Sequence, residues 1–129
     1  MKTQKIENEL GKFQINQEKA ILKLEGKFIS LNPDKFWEWI IMSAKRTASN
    51  TDRIRIDLNI EYISTSNVKY LYMLMKTLIN SKQTHTKMTV NWHYESFDEN
   101  HLELGEMIKN SLPSNVKFQF VEELGKLAA

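Results

Sequence analysis

From Ile54 to Glu61 apolar and polar residues alternate without a break, with Ile54, Ile56, Leu58 and Ile60 set against Arg55, Asp57, Asn59 and Glu61. A period of two is the mark of a strand with one dry face and one wet face. Met88, Val90, Trp92 and Tyr94 repeat the pattern against Thr89, Asn91 and His93. Strands covered on both faces read instead as near-continuous apolar runs. A sheet built on these two strands therefore carries its helices on one face and leaves the other wet.

The rest of the chain supplies those helices. Asn32-Pro33-Asp34 has the order of a helix start: an Asn cap, Pro at the first helical position, then an acid. Phe36, Trp37, Ile40, Ile41 and Ala44 then recur at helical spacing through Ala48. A second helix follows Ser64-Thr65-Ser66 and buries Val68, Leu71, Tyr72, Met75, Leu78 and Ile79, with polar Asn80 to Lys87 ending it. A third spans Asp98 to Asn110, with Leu102 and Leu104 among its apolar residues, and Pro113 stops it. Short strands at Lys12 to Ile15 and Ala20 to Leu24 form a hairpin, and Val116, Phe118 and Phe120 make a last strand. The order is β-β-α-β-α-β-α-β. Strands separated by helices pair in parallel through right-handed crossovers. The expected fold is a two-layer α/β sandwich, a mixed sheet with helices on one face.

At 129 residues this is one domain. Residues 1–9 read as a flexible leader, 10–122 as the domain and 123–129 as a tail. The tail's end, Lys126-Leu127-Ala128-Ala129, resembles a vector remnant. Eighteen basic against sixteen acidic residues leave +2, no field to favour nucleic acid or an anionic membrane. The absence of cysteine excludes disulfides and a cysteine nucleophile. No apolar run approaches the roughly 20 residues that span a bilayer, so a cytoplasmic protein without membrane insertion is expected.

Three consecutive hydroxyls, Ser64, Thr65 and Ser66, stand where the alternating strand gives way to a helix. Capping is their ordinary use, worth about 1 kcal/mol. No capping box accompanies them, since Val68 and Lys69 stand where Glu or Gln would close one. The other two helices open with acids; this one has none and carries Lys69. A helix start with open N–H groups, a nearby cation and no carboxylate suits an anion. A phosphate on one of the hydroxyls would supply it, adding about −1.5 to −2 charge. Steps of 100° per residue place Ser66, Tyr70, Met73 and Thr77 on one stripe outside the core arc. Tyr70 and Met73 are then apolar residues on a solvent face, as a binding surface would have them.

The alternatives are weaker. His85, His93 and His101 are not spaced as metal ligands, and His93 reads as a solvated surface residue. Asp57 and Glu61 share a face but lack an apolar pocket to tune either as a catalytic acid. The four glycines are scattered, leaving no phosphate loop. Trp92 and Tyr94 face inward, opposite to an RNA-binding sheet. No enzyme activity, cofactor or metal is expected.

The order of elements, with a hydroxyl opening the helix after the alternating strand, resembles the STAS fold of anti-sigma-factor antagonists. The segment Tyr62-Ile63-Ser64-Thr65-Ser66-Asn67-Val68-Lys69 resembles more closely the SiaC-like family of regulatory phosphoproteins, as do Val90-Asn91-Trp92-His93-Tyr94 and Asp98-Glu99 leading to Glu103-Leu104-Gly105-Glu106. The resemblance implies a STAS-like domain and a non-enzymatic switch. In that family the threonine of Tyr-x-x-Thr-Ser is phosphorylated by a dedicated Ser/Thr kinase and restored by a PP2C-type phosphatase. The unphosphorylated form binds and activates a diguanylate cyclase, and so influences biofilm formation. Carried over by position, the acceptor is Thr65, with Ser64 and Ser66 as alternatives, Lys69 as phosphate partner, and Tyr62, Ser66, Tyr70 and Met73 as partner surface. Ser64 stands where the family has Asn and Asn67 where it has Ser, which makes Ser64 a competing acceptor.

Overall fold

In the computed structural model the alternating segment is the strand β4 (Arg53–Ile63) at the middle of a six-stranded sheet. The structure describes residues 3–7, 11–81 and 87–123. Before β4 come β1 (Thr3–Glu7), β2 (Gly11–Asn16), β3 (Ile21–Phe28) and the helix α1 (Asp34–Ala48). After it come α2 (Thr65–Ile79), β5 (Lys87–Glu95), α3 (Glu99–Asn110) and β6 (Lys117–Glu123). Strand order in the sheet equals chain order. The pairs β1–β2 and β2–β3 are antiparallel, and β3–β4, β4–β5 and β5–β6 are parallel.

That order explains the layering. Three right-handed crossovers, each stepping to the next strand in the same direction, bring all three helices to one side. Phe13, Ile15, Leu22, Leu24, Ile56 and Leu58 are fully buried on that side, against Trp37 and Ile40 of α1 and Leu71 and Leu74 of α2. Each such side chain contributes about 1.5–3 kcal/mol through burial. On the opposite face Asp57 is held by Arg55 through two bonds, of 2.8 and 3.2 Å, and accepts from Asn91 Nδ2 at 2.8 Å. The row that could have been catalytic is a hydrogen-bonded ladder on the wet side.

Three expectations need correction. Residues 1–9 are not simply a leader, because Thr3–Glu7 is an edge strand with Ile6 opposite Phe13 and Gln4 opposite Ile15. A ladder is closed by backbone groups, so Thr-Gln-Lys-Ile-Glu pairs without an apolar pattern to announce it. Asn32 does not cap α1: the helix begins at Asp34 with Pro33 in the cap position, and the Asn32 amide donates to Ser30 Oγ at 3.2 Å. In α2 the core arc is rotated towards Asn67 and Leu74, leaving Val68, Tyr72 and Ile79 half-buried. The tail beyond Glu123 and His85 lie outside the described residues.

One glycine is fixed by close approach. A Cβ on Gly105 would lie 2.5 Å from Trp92 Nε1, so α3 can seat on β5 only with hydrogen at that position. The same indole donates to the carbonyl of His101 at 3.1 Å and stacks on the His101 ring.

Candidate functional site at the start of helix α2

Ser64 is the last residue in extended conformation, with φ −75° and ψ 160°. Its N–H continues the parallel pairing by donating to Phe28 O at 3.0 Å, while its carbonyl accepts from Asn67 and Val68 and so opens α2. The strand thus fixes where the helix begins, and Thr65 becomes its first residue. Among the described residues the N–H groups of Thr65 and Ser66 donate to nothing. The first turn holds no acid. The N-terminal end of a helix carries about half a positive charge, and here neither a cap nor a carboxylate offsets it.

The hydroxyls do not cap, contrary to expectation. Ser64 Oγ instead accepts from Asn67 Nδ2 at 2.7 Å and lies 3.2 Å from Ser66 Oγ. The cause is Asn67, fully buried one turn into the contact between α1 and α2. Its Oδ1 accepts from Trp37 Nε1 at 2.8 Å, and its Nδ2 also donates to Ser30 O at 3.1 Å. Locked from both sides, the amide draws the Ser64 hydroxyl away from the backbone N–H groups. Thr65 is exposed, and its hydroxyl has no hydrogen bond among the described residues. Of the three hydroxyls, Ser64 and Ser66 are engaged and Thr65 is presented to solvent.

The surrounding side chains divide. Tyr62 and Met73 are exposed, at 57% and 50%, and Ser66 and Lys69 are exposed with them. Lys69 Nζ lies 5.2 Å from the centre of the Tyr70 ring and has no carboxylate partner among the described residues. Tyr70 departs from the outward stripe. Its ring stacks on Trp37 at 6.2 Å and 12°, and its hydroxyl donates to Asp34 Oδ1. Residue 70 sits at the border of the core arc, and α1 closes over that border. The Asp34 bond, aided by desolvation, raises the Tyr70 phenol above its ordinary range. Tyr70 therefore braces α2 against α1, and the exposed residues among those expected at the surface are Tyr62, Ser66, Lys69 and Met73, with Met73 about two turns along α2 from Thr65.

His93 is half-buried rather than fully solvated, with Nδ1 2.8 Å from Glu123 Oε1. No set of His, Asp or Glu among the described residues is arranged to hold a metal ion. No helix there is long and apolar enough to cross a membrane.

The family model described as SiaC family regulatory phosphoprotein matches residues 5–123. Among solved structures, SiaC of Pseudomonas aeruginosa superposes with a TM-score of 0.83 at 18% identity, over 95% of this chain and 100% of that one. A crystal structure of the diguanylate cyclase SiaD in complex with its activator SiaC, also from Pseudomonas aeruginosa, matches with a TM-score of 0.84 at 19% identity, over 93% and 99% of the two chains. Apo-SiaC from the same organism gives 0.77 at 20% identity, over 95% and 99%. Comparison with curated proteins returns no match.

Proposed function

The chain belongs to the SiaC family of regulatory phosphoproteins, and on that premise we propose that it is a bacterial signalling switch set by reversible phosphorylation of Thr65. The observation that carries the reading is the contrast among three adjacent hydroxyls: those of Ser64 and Ser66 are bonded to one another, and that of Thr65 is exposed at an acid-free helix start. A kinase needs an accessible hydroxyl, and a helix N-terminus accepts the phosphate that results. Lys69, one turn further on, is the cation that answers it.

Unphosphorylated, the protein binds and regulates a partner enzyme through Tyr62, Ser66, Met73 and the rim of Tyr70. The related activator is found in complex with a diguanylate cyclase, so a cyclase is the proposed target. Phosphate on Thr65 places close to two negative charges at the edge of that surface, where unmatched charge costs several kcal/mol. Turning a complex from 99:1 to 1:99 takes about 5.5 kcal/mol, so a single phosphate is of the right order. A Ser/Thr kinase and a PP2C-type phosphatase set the state, and the protein performs no catalysis itself.

Intact-mass measurement with fragment mapping on protein purified from its own host tests this. One phosphate localised to Thr65 is expected in part of the population. A uniformly unmodified chain, from cells in which the kinase is active, would leave a constitutive interaction module.

A further inference from the structure

A cavity of about 400 Å³ opens at the amino ends of β3, β4 and β5, the end of the sheet away from Thr65. Four cations line it, Lys19, Arg53, Arg55 and Lys87, and among the described residues no carboxylate does. Register forces part of this crowding. Arg53 lies directly opposite Lys87 in the parallel β4–β5 ladder, on strands about 4.8 Å apart, where like charges repel. Arg55 follows two residues on along the same wet face, with Thr89 opposite it and Lys117 opposite Thr89 on β6. Among the described residues the side chains of Lys19, Arg53 and Lys87 have no ion pair or hydrogen bond, and neither does the Thr89 hydroxyl.

Ordinary uses of basic residues do not account for this set. Cations in a last helical turn answer the macrodipole, as Lys45, Arg46 and Lys76 do, but these four lie on strands and a turn. Cations on edge strands block unwanted pairing, but β4 and β5 are interior strands. Only Arg55 has an acid, Asp57, which fixes its guanidinium through Nε and one Nη and leaves the other Nη open. The net charge of +2 conceals the concentration, because Glu61, Glu95, Asp98 and Glu123 gather at the opposite end of the sheet. A compact anion with more than one charged centre answers the Arg53–Lys87 repulsion. Guanidinium forks and ammonium groups are the donors that phosphoryl oxygens take, and the Thr89 hydroxyl adds another. The remaining wall is aliphatic, Ile21 and Ile54 among it, with no aromatic ring on which a nucleobase could stack. We propose that this cavity binds a small molecule through a diphosphate group. The site is separate from the Thr65 surface and does not depend on the switch.

The test is calorimetric titration of the full-length chain with inorganic pyrophosphate at about 0.15 M ionic strength, where long-range attraction is screened. Sulfate serves as the single-centre anion and ADP as an esterified diphosphate. Saturable binding of pyrophosphate with a Kd below about 1 mM is expected, with sulfate roughly tenfold weaker or more. Binding of ADP as well assigns the site to an esterified diphosphate, and binding of pyrophosphate alone to the free ion. Arg53→Gln and Lys87→Gln should each weaken binding by roughly fivefold or more. Lys35→Gln, which removes an exposed cation from α1, should leave it unchanged. Without ligand, Lys87→Gln should melt at or above the parent temperature, since it relieves the repulsion from Arg53. No saturable binding of pyrophosphate by about 10 mM, equal affinity for sulfate, or equal losses in Lys35→Gln and Lys87→Gln would each overturn the proposal.

Discussion

At Asn67 one side chain joins the indole of Trp37, the carbonyl of Ser30 and the hydroxyl of Ser64. Removing it strands the Trp37 N–H in a dry contact, and a buried unsatisfied donor costs about 1–3 kcal/mol. Asn67→Ala should therefore lower the unfolding free energy obtained from urea titration by about 1–3 kcal/mol and loosen the start of α2, read as faster amide exchange at Thr65 and Ser66. Its burial was not foreseen, since the expected arc ran through Val68 and Tyr72, although residue 67 shares helical spacing with Leu71, Leu74 and Leu78. Its partners were not foreseen either, since they lie 30 and 37 residues away and no local pattern links them. His101 offers a second residue-scale expectation. Burial lowers its pKa in the folded chain from the ordinary 6.5, so the unfolded chain binds the proton first as pH falls. Its contribution is thus present above the unfolded pKa and is lost as pH drops below about 6.5 towards the folded value, by at most about 1.4 kcal/mol per pH unit. Melting profiles of His101→Gln should fall less steeply than the parent between pH 7 and 5; identical slopes would contradict the assignment.

Elements were legible in proportion to their side-chain pattern. The alternation of β4 and β5, with the helices between them, was enough to place the helices on one face. Strand β1 was not, because a ladder edge with one apolar residue leaves no period to read. The start of α2 illustrates a different limit. Three hydroxyls at a strand-to-helix junction imply a cap, yet the cap is overridden by the Asn67 amide, which partners distant in sequence, Trp37 and Ser30, hold buried. Gly105 is the corresponding constraint on α3. Gly105→Ala drives a methyl to within 2.5 Å of the Trp92 indole, where neither the sheet nor the helix backbone yields easily. Overpacking of this kind costs about 1–3 kcal/mol. Chemical denaturation should register that loss together with a changed near-ultraviolet signal from Trp92, whereas Gly105→Ala at parent stability would show that α3 is not seated as described.

For the whole molecule, the division of labour follows from the sheet. One face is dry and holds three helices, the other is a polar ladder, and the end of β4 places Thr65 at the head of α2. The phosphate proposed on Thr65 sits where a helix end favours negative charge, by about 0.3–1 kcal/mol. Phosphorylation should therefore leave the melting temperature of the domain nearly unchanged or slightly higher, and act on the partner surface alone. The direct test is capture of the proposed partner, a diguanylate cyclase, by purified Thr65→Ala and Thr65→Glu proteins at matched concentration. Strong capture by Thr65→Ala, with capture by Thr65→Glu reduced by an order of magnitude or more, is the outcome predicted for a switch. Equal capture by the two folded variants would contradict it.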